Sequence, residues 1–211
     1  MMFVEVLYPP GALTADQRHV LGDRLVTDVM QAGDSGAPEA VIDAGRSLCH
    51  VLFRETTDWY TAGHALAPGT PPPYLIRVTV PENWRAEMGP HLVKAFTKVL
   101  ADIDQQPSRL YDEPACWIHV LGLPDGVAGT MGRPLGEADL VRIITKPHRD
   151  APRSPSDLPP GTGLDPTCGM TVPFEHADAT LDYDGTRYAF CNSGCYDVFV
   201  EDHQIAVPHP Q

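Results

Sequence analysis

Apolar positions along the first part of the chain switch between a period of two and a period near 3.6, and they do so twice. Phe3 to Tyr8 is a strand-like run closed by Pro9-Pro10-Gly11. Thr14-Ala15-Asp16-Gln17 fits a capping box, and Val20, Leu21, Leu25, Val26, Val29 and Met30 then recur at helical spacing. The spacing predicts a helix that stops near Gln31-Ala32-Gly33, where Gly takes a left-handed cap. A turn-rich passage from Asp34 to Pro38 and a short irregular stretch follow, then a second predicted strand from Ser47 to Glu55. The order restarts at Pro73. Tyr74 to Val80 is a strand closed by Pro81, and Asn83 is the predicted cap of the next helix. Trp84, Met88, Leu92, Val93, Phe96, Val99, Leu100 and Ile103 form its apolar stripe, Gln106-Pro107 ends it, and Ala115 to Leu121 is the matching second strand.

The two halves also match residue by residue. Leu21-Gly22 to Val26 aligns on Met88-Gly89 to Val93, and Val4 to Pro9 falls on Ile76 to Pro81. His50-Val51-Leu52 aligns on His119-Val120-Leu121, and Thr61-Ala62-Gly63 on Thr130-Met131-Gly132. The reading is an α+β fold with two tandem βαβ units, residues 1–70 and 71–146. Parallel strands joined by a helix cross over right-handed. Four strands in one sheet with two helices on one face is the economical assembly, with Leu140 to Thr145 as a further short strand.

A tandem βαβ domain opening on Met1-Met2-Phe3-Val4-Glu5-Val6-Leu7-Tyr8-Pro9, with Thr-x-Gly turns after each second strand, resembles the tautomerase superfamily. That superfamily includes 4-oxalocrotonate tautomerase and macrophage migration inhibitory factor. The resemblance implies a homotrimer, which would cover sheet edges otherwise left unpaired. It also implies catalysis by an N-terminal proline whose secondary amine is the general base. Here Met1 stands at that position, and the equivalent Pro73 has its nitrogen inside an amide. The bulky Met2 predicts that Met1 is retained. The catalytic residue is then not named by the sequence, and the Met1 α-amine, which ordinarily titrates near ~7.7–8.0, is a fallback candidate for the base. His50, His64, His119, Met1 and Met2 are a second possible set around that pocket, suited to copper, against the plainer reading of packed or hydrogen-bonded strand residues. Cys49 and Cys116 read as packing residues.

Pro147, Pro152, Pro155, Pro159, Pro160, Gly161 and Gly163 make residues 147–163 an expected semi-extended linker. Residues 164–211 form a separate cysteine-rich ββα module. Three of the five cysteines stand there in a C-x22-C-x3-C pattern, Cys168, Cys191 and Cys195. Soft thiolates so grouped suit Zn(II), Cu(I) or another thiophilic ion. Asp184-Gly185 predicts a hairpin turn between strands Thr180 to Tyr183 and Arg187 to Phe190. Cys195 is expected one turn into the helix that follows. Asp165-Pro166-Thr167-Cys168-Gly169-Met170 with Tyr183-Asp184-Gly185 through Cys195 resembles the YHS/TRASH family of small metal-binding domains, in which these motifs carry the ligands. His203 and His176 are the nearest candidates for a fourth ligand. About forty residues cannot hold a large core, so a bound metal is an expected staple.

Charge and composition narrow the partners. A hydrophobic fraction of 43% supports a core, and a net charge of −13 argues against nucleic acid or an anionic membrane surface. No segment has the length of a membrane span, and residues 1–5 carry no basic signal-peptide region, so a cytoplasmic location is expected. In that compartment clustered thiols read as metal or redox sites. The sequence reading is a copper- or zinc-binding protein on a degenerate trimeric scaffold. It binds, senses or relays metal, exchanging it with a donor or acceptor protein. The alternatives are an enzyme on small keto/enol acids and an interaction module stapled by zinc.

Overall fold

The computed structural model describes residues 1–30, 36–151 and 158–206. Contacts group the chain into two compact units, Met1–Met30 with Leu48–Pro124, and Gln31–Ser47 with Asp125–Gln211.

In the first unit, β1 (Met2–Tyr8), α1 (Ala15–Thr27) and β2 (Cys49–Glu55) make one crossover. β5 (Tyr74–Pro81), α3 (Glu82–Ala101) and β6 (Cys116–Leu123) make the other. The sheet order is β2-β1-β5-β6. β1 is parallel to β2, β5 is parallel to β6, and the two halves meet antiparallel at β1 and β5. Alternate residues Met2, Val4, Val6 and Tyr8 of β1, and Tyr74, Ile76, Val78 and Val80 of β5, bury against Leu21, Leu25, Leu92 and Phe96 of the helices. The Thr14–Gln17 capping box is present. Pro81, not Asn83, occupies the cap position of α3.

The opposite face of this sheet carries large exposed apolar side chains. Phe3, Leu52, Trp117 and Leu121 are exposed there, Trp117 by 61%. Glu5 pairs with Arg54 and Arg77 between them. Two small hairpins, β3 (Tyr60–Thr61) with β4 (His64–Ala65) and β7 (Ala128–Thr130) with β8 (Arg133–Leu135), follow the second strands of the two βαβ repeats. Their turns share left-handed residues at Ala62-Gly63 and Met131-Gly132, as the internal alignment anticipates.

Strand register corrects one part of that alignment. Met2 pairs with Cys49 and Tyr74 with Cys116, so Cys49 and Cys116 are equivalent, and His50 corresponds to Trp117 rather than His119. The slip is two residues, which keeps every side chain on its face and so leaves the hydrophobic pattern unchanged.

The second unit contains α2 (Glu39–Arg46), β7, β8, α5 (Glu137–Asp150), β9 (Thr162–Leu164), β10 (Thr171–Pro173), β11 (Ala179–Tyr183), β12 (Thr186–Phe190) and α6 (Ser193–Asp202). A further short helix of the first unit, α4, spans Arg109–Asp112. The predicted strand Leu140–Thr145 is helical, inside α5. Its apolar residues favour a strand locally, but Leu140, Val141, Thr145 and His148 are buried at helical spacing, and Asp139 accepts from the Gly136 N–H at 3.1 Å to start the helix. The expected linker is likewise shorter than its composition suggests, because Lys146 to Asp150 completes α5 and Thr162 begins β9. Residues 152–157 of that linker lie outside the described residues, as does the predicted helix stop at Gln31-Ala32-Gly33, but α1 already ends at Thr27 with Asp28 as its cap, so Val29 and Met30 of the predicted stripe fall beyond it. The irregular stretch before Ser47 is α2, which buries Val41 and Gly45 and packs on α5.

One buried ion pair anchors the first unit. Arg109 donates to Asp104 at 2.6 and 3.1 Å and to the Pro72 carbonyl at 2.7 Å, while the Tyr74 hydroxyl donates to Asp104 at 3.1 Å. Burial works against the Asp104 carboxylate, but the Arg109 bonds outweigh it and hold the carboxyl below its ordinary value. Its stabilisation is therefore present at neutral pH and lost as pH falls through that depressed value. Asp104→Asn leaves Arg109 buried and uncompensated, and should lower the unfolding free energy by about 3 kcal/mol in urea titration at pH 7.

Candidate metal centre

The loop between β9 and β10 is closed at its ends. Asp165 N–H donates to the Met170 carbonyl and Gly169 N–H to the Asp165 carbonyl, both at 2.8 Å. Gly169 has φ +77°, which a glycine adopts without strain. β11 and β12 form the hairpin predicted over Asp184-Gly185, and both turn residues have positive φ. Phe190 and Phe199 pack at 5.6 Å and fix α6 against that hairpin, so Cys191 at the strand end and Cys195 in the first turn of the helix face the loop. Asn192 caps α6, accepting from Cys195 N–H at 2.9 Å and donating to Cys191 Sγ at 3.2 Å.

The structure brings the three predicted sulfurs together. Cys168 Sγ and Cys195 Sγ each lie 3.7 Å from Cys191 Sγ. Two sulfurs bound tetrahedrally to one ion at ~2.3 Å would stand ~3.8 Å apart. The donor set therefore fits a single shared thiophilic ion. Cys168 and Cys195 are buried, 5% and 3% exposed.

Asp165 is the member that sequence reasoning took only as part of a turn. Its ligand oxygen and the three sulfurs all lie within 4.8 Å of one another, and among the described residues this is the grouping of histidine, cysteine and acidic groups able to hold an ion. Its carboxylate is fully buried and accepts three backbone N–H bonds, from Thr167 at 2.9 Å, Cys168 at 3.2 Å and Cys191 at 3.0 Å. It thus ties the β9–β10 loop to the end of β12. Thr167 adds a second tie, donating to the Cys195 carbonyl at 2.7 Å. The available signal was an aspartate two residues before Thr167, placed to accept the backbone N–H bonds of an Asx turn.

Hydrogen bonds from Cys191 and Cys195 pull the Cys168 thiol below its ordinary value, and the same bonds push Cys191 and Cys195 above theirs. Burial, with the nearby Cys168 charge, pushes the Asp165 carboxyl up to about 7. Without a cation the site thus favours one thiolate flanked by two thiols. A bound cation reverses that balance and deprotonates coordinating thiols outright.

The two histidine candidates lie elsewhere. His203 has Nδ1 2.9 Å from the Phe199 carbonyl and stacks on the Phe199 ring at 4.1 Å. His176 is exposed beside Glu175. His50 stacks on Phe3 at 4.9 Å on edge strand β2, and His119 lies beside Arg77 on the opposite edge strand β6. Three strand spacings separate those edges, about 14 Å. His64 is exposed in β4. Met1 precedes β1, and burial lowers its α-amine below the ordinary value while Cys49 works the other way. Cys49 Sγ lies 3.6 Å from Met30 Sδ, and Cys116 is pushed up to about 12 by burial, consistent with packing residues. No helix of the described residues is long and apolar enough to cross a membrane.

No curated protein matches the chain. Over its N-terminal part the chain is similar to solved structures of the tautomerase and macrophage migration inhibitory factor families. Native Ps01740 is 21% identical, covering 61% of this chain and 99% of its own, with a TM-score of 0.46. A fused 4-OT described as an asymmetric trimer is 16% identical, covering 63% and 94%, with a TM-score of 0.43. A macrophage migration inhibitory factor-like protein from Entamoeba histolytica is 8% identical, covering 64% and 98%, with a TM-score of 0.44. Residues 164–204, which carry all three clustered sulfurs, match the YHS domain family.

Proposed function

We propose that this chain is a soft-metal-binding protein in which Cys168, Cys191 and Cys195 are the ligands, with copper ahead of zinc. The observation that carries the reading is the pair of 3.7 Å sulfur separations in a buried pocket. Copper is favoured by the donor set. A closed zinc site takes four protein ligands, whereas three of the roughly four acceptor positions of Asp165 are taken by backbone N–H bonds and no imidazole joins the cluster among the described residues. Three sulfurs suit Cu(I). A site with three protein ligands can pass its ion to another thiol, which supports sensing or relay with a donor or acceptor protein over a purely structural role. The function is cytoplasmic in this reading, where thiols stay reduced.

The open sheet face supports a homo-oligomer, and a trimer is the proposed state. Phe3, Leu52, Trp117 and Leu121 are too large an apolar group to leave in water, and β2 and β6 are unpaired sheet edges in the described chain. A second reading, an enzyme on small keto/enol acids, rests on the lowered Met1 α-amine, which has more of its base form at neutral pH. Turnover of phenylpyruvate that persists in Cys168→Ser would favour it, and its absence from intact protein removes that reading.

Elemental analysis of the untagged, full-length protein should find one copper ion per chain, lost on Cys191→Ser. A fully folded second unit that takes up no thiophilic ion contradicts the proposal. Light scattering should give a trimer, and Trp117→Glu should shift it to the monomer by placing a charge on the apolar face.

A further inference from the structure

Helix α5 lies outside residues 164–204, yet it reaches both loops that carry the sulfurs. His148, 3% exposed, fills the space beside Gly169, and a β-carbon on that glycine would overlap the imidazole ring. Glu137, 8% exposed, does the same at Gly194, where a β-carbon would stand 2.7 Å from its Oε1. Gly169 directly follows Cys168, and Gly194 directly precedes Cys195. The two α5 residues are eleven positions apart, about three helical turns, so they project from one face of the helix. Neither belongs to the four groups within 4.8 Å of one another. Arg142 reinforces the seating, donating to Glu201 at 2.7 Å and Asp202 at 3.1 Å near the far end of α6.

We infer that α5 forms an outer wall of the metal centre, with His148 and Glu137 as positioning residues that hold the Cys168 and Cys195 loops at ligand spacing. The inference rests on the metal-binding reading above. Both side chains are buried directly against the two glycines next to ligand cysteines. Outer groups of this kind fix the orientation of ligands without binding the ion. Retention and release of the ion then depend on how firmly α5 is seated, and the residues matching the family are an incomplete site without it.

The test uses the full-length chain, Cu(I) and a competing chelator, with affinity and release rate as readouts. Wild-type protein should bind one ion, and a wild type that binds none overturns the metal-binding reading itself. Given binding, His148→Ala and Glu137→Ala should each weaken it by about tenfold or more while keeping one ion per chain. Gly194→Ala should also weaken it, and adding Glu137→Ala should cost less than the two single effects combined, because the methyl group then has room. Arg142→Glu, at a half-buried surface position that spares the core, should speed release by up to about fivefold by repelling Glu201 and Asp202. Variants that lower the melting temperature of metal-free protein but bind and release Cu(I) as wild type does would overturn the inference, leaving α5 a packing element only.

Discussion

Three sulfurs and a carboxylate confined within 4.8 Å, with Cys168, Cys195 and Asp165 buried, are the constraint on which the second unit depends. Four acidic groups so close cannot all ionise in a poorly solvated site. Either protons or a cation must neutralise them. The chain gathers them nonetheless, using an aspartate that accepts three backbone N–H bonds and an asparagine that caps the helix beneath the sulfurs. The bond from Cys191 joins segments twenty-six residues apart, the others shape the two local turns, and together they place the sulfurs at a separation that one ion can bridge.

The rest of the second unit supplies what a module of this size lacks. A domain of some forty residues buries little apolar surface by itself. Here α2 and α5 bring the buried Val41, Leu140 and Val141 into the unit that also buries Leu164, Phe190 and Phe199. Residues that the sequence pattern attaches to the tandem repeat therefore belong by contact with the cysteine module. The first unit is organised differently, by a doubled βαβ sheet whose interior is almost wholly apolar and whose polar exception, Asp104 with Arg109, is paired and hydrogen-bonded.

Much of this was legible from residue order. The alternation in Phe3 to Tyr8 and Tyr74 to Val80, the Thr14–Gln17 capping box and the Asp184-Gly185 turn are local signals, and each element formed where its signal stood. The three sulfurs were legible because ligand chemistry restricts residue type and spacing together. Leu140 to Thr145 misled because β-branched residues favour strands locally, whereas the burial of Leu140, Val141, Thr145 and His148 on one face settles a helix. The His50 register slipped because a shift of two leaves the inward and outward pattern intact. Asp165 was hidden for another reason. Its role is to bind backbone groups of a segment twenty-six residues away, and nothing in local sequence records that pairing.

X-ray absorption spectroscopy of the copper-loaded, full-length protein measures the central claim most directly, because it reads the ligand atoms around the ion. The account predicts a first shell of three sulfurs at one distance, with no imidazole scattering. A shell dominated by nitrogen and oxygen, or one retained unchanged in Cys191→Ser, would contradict it.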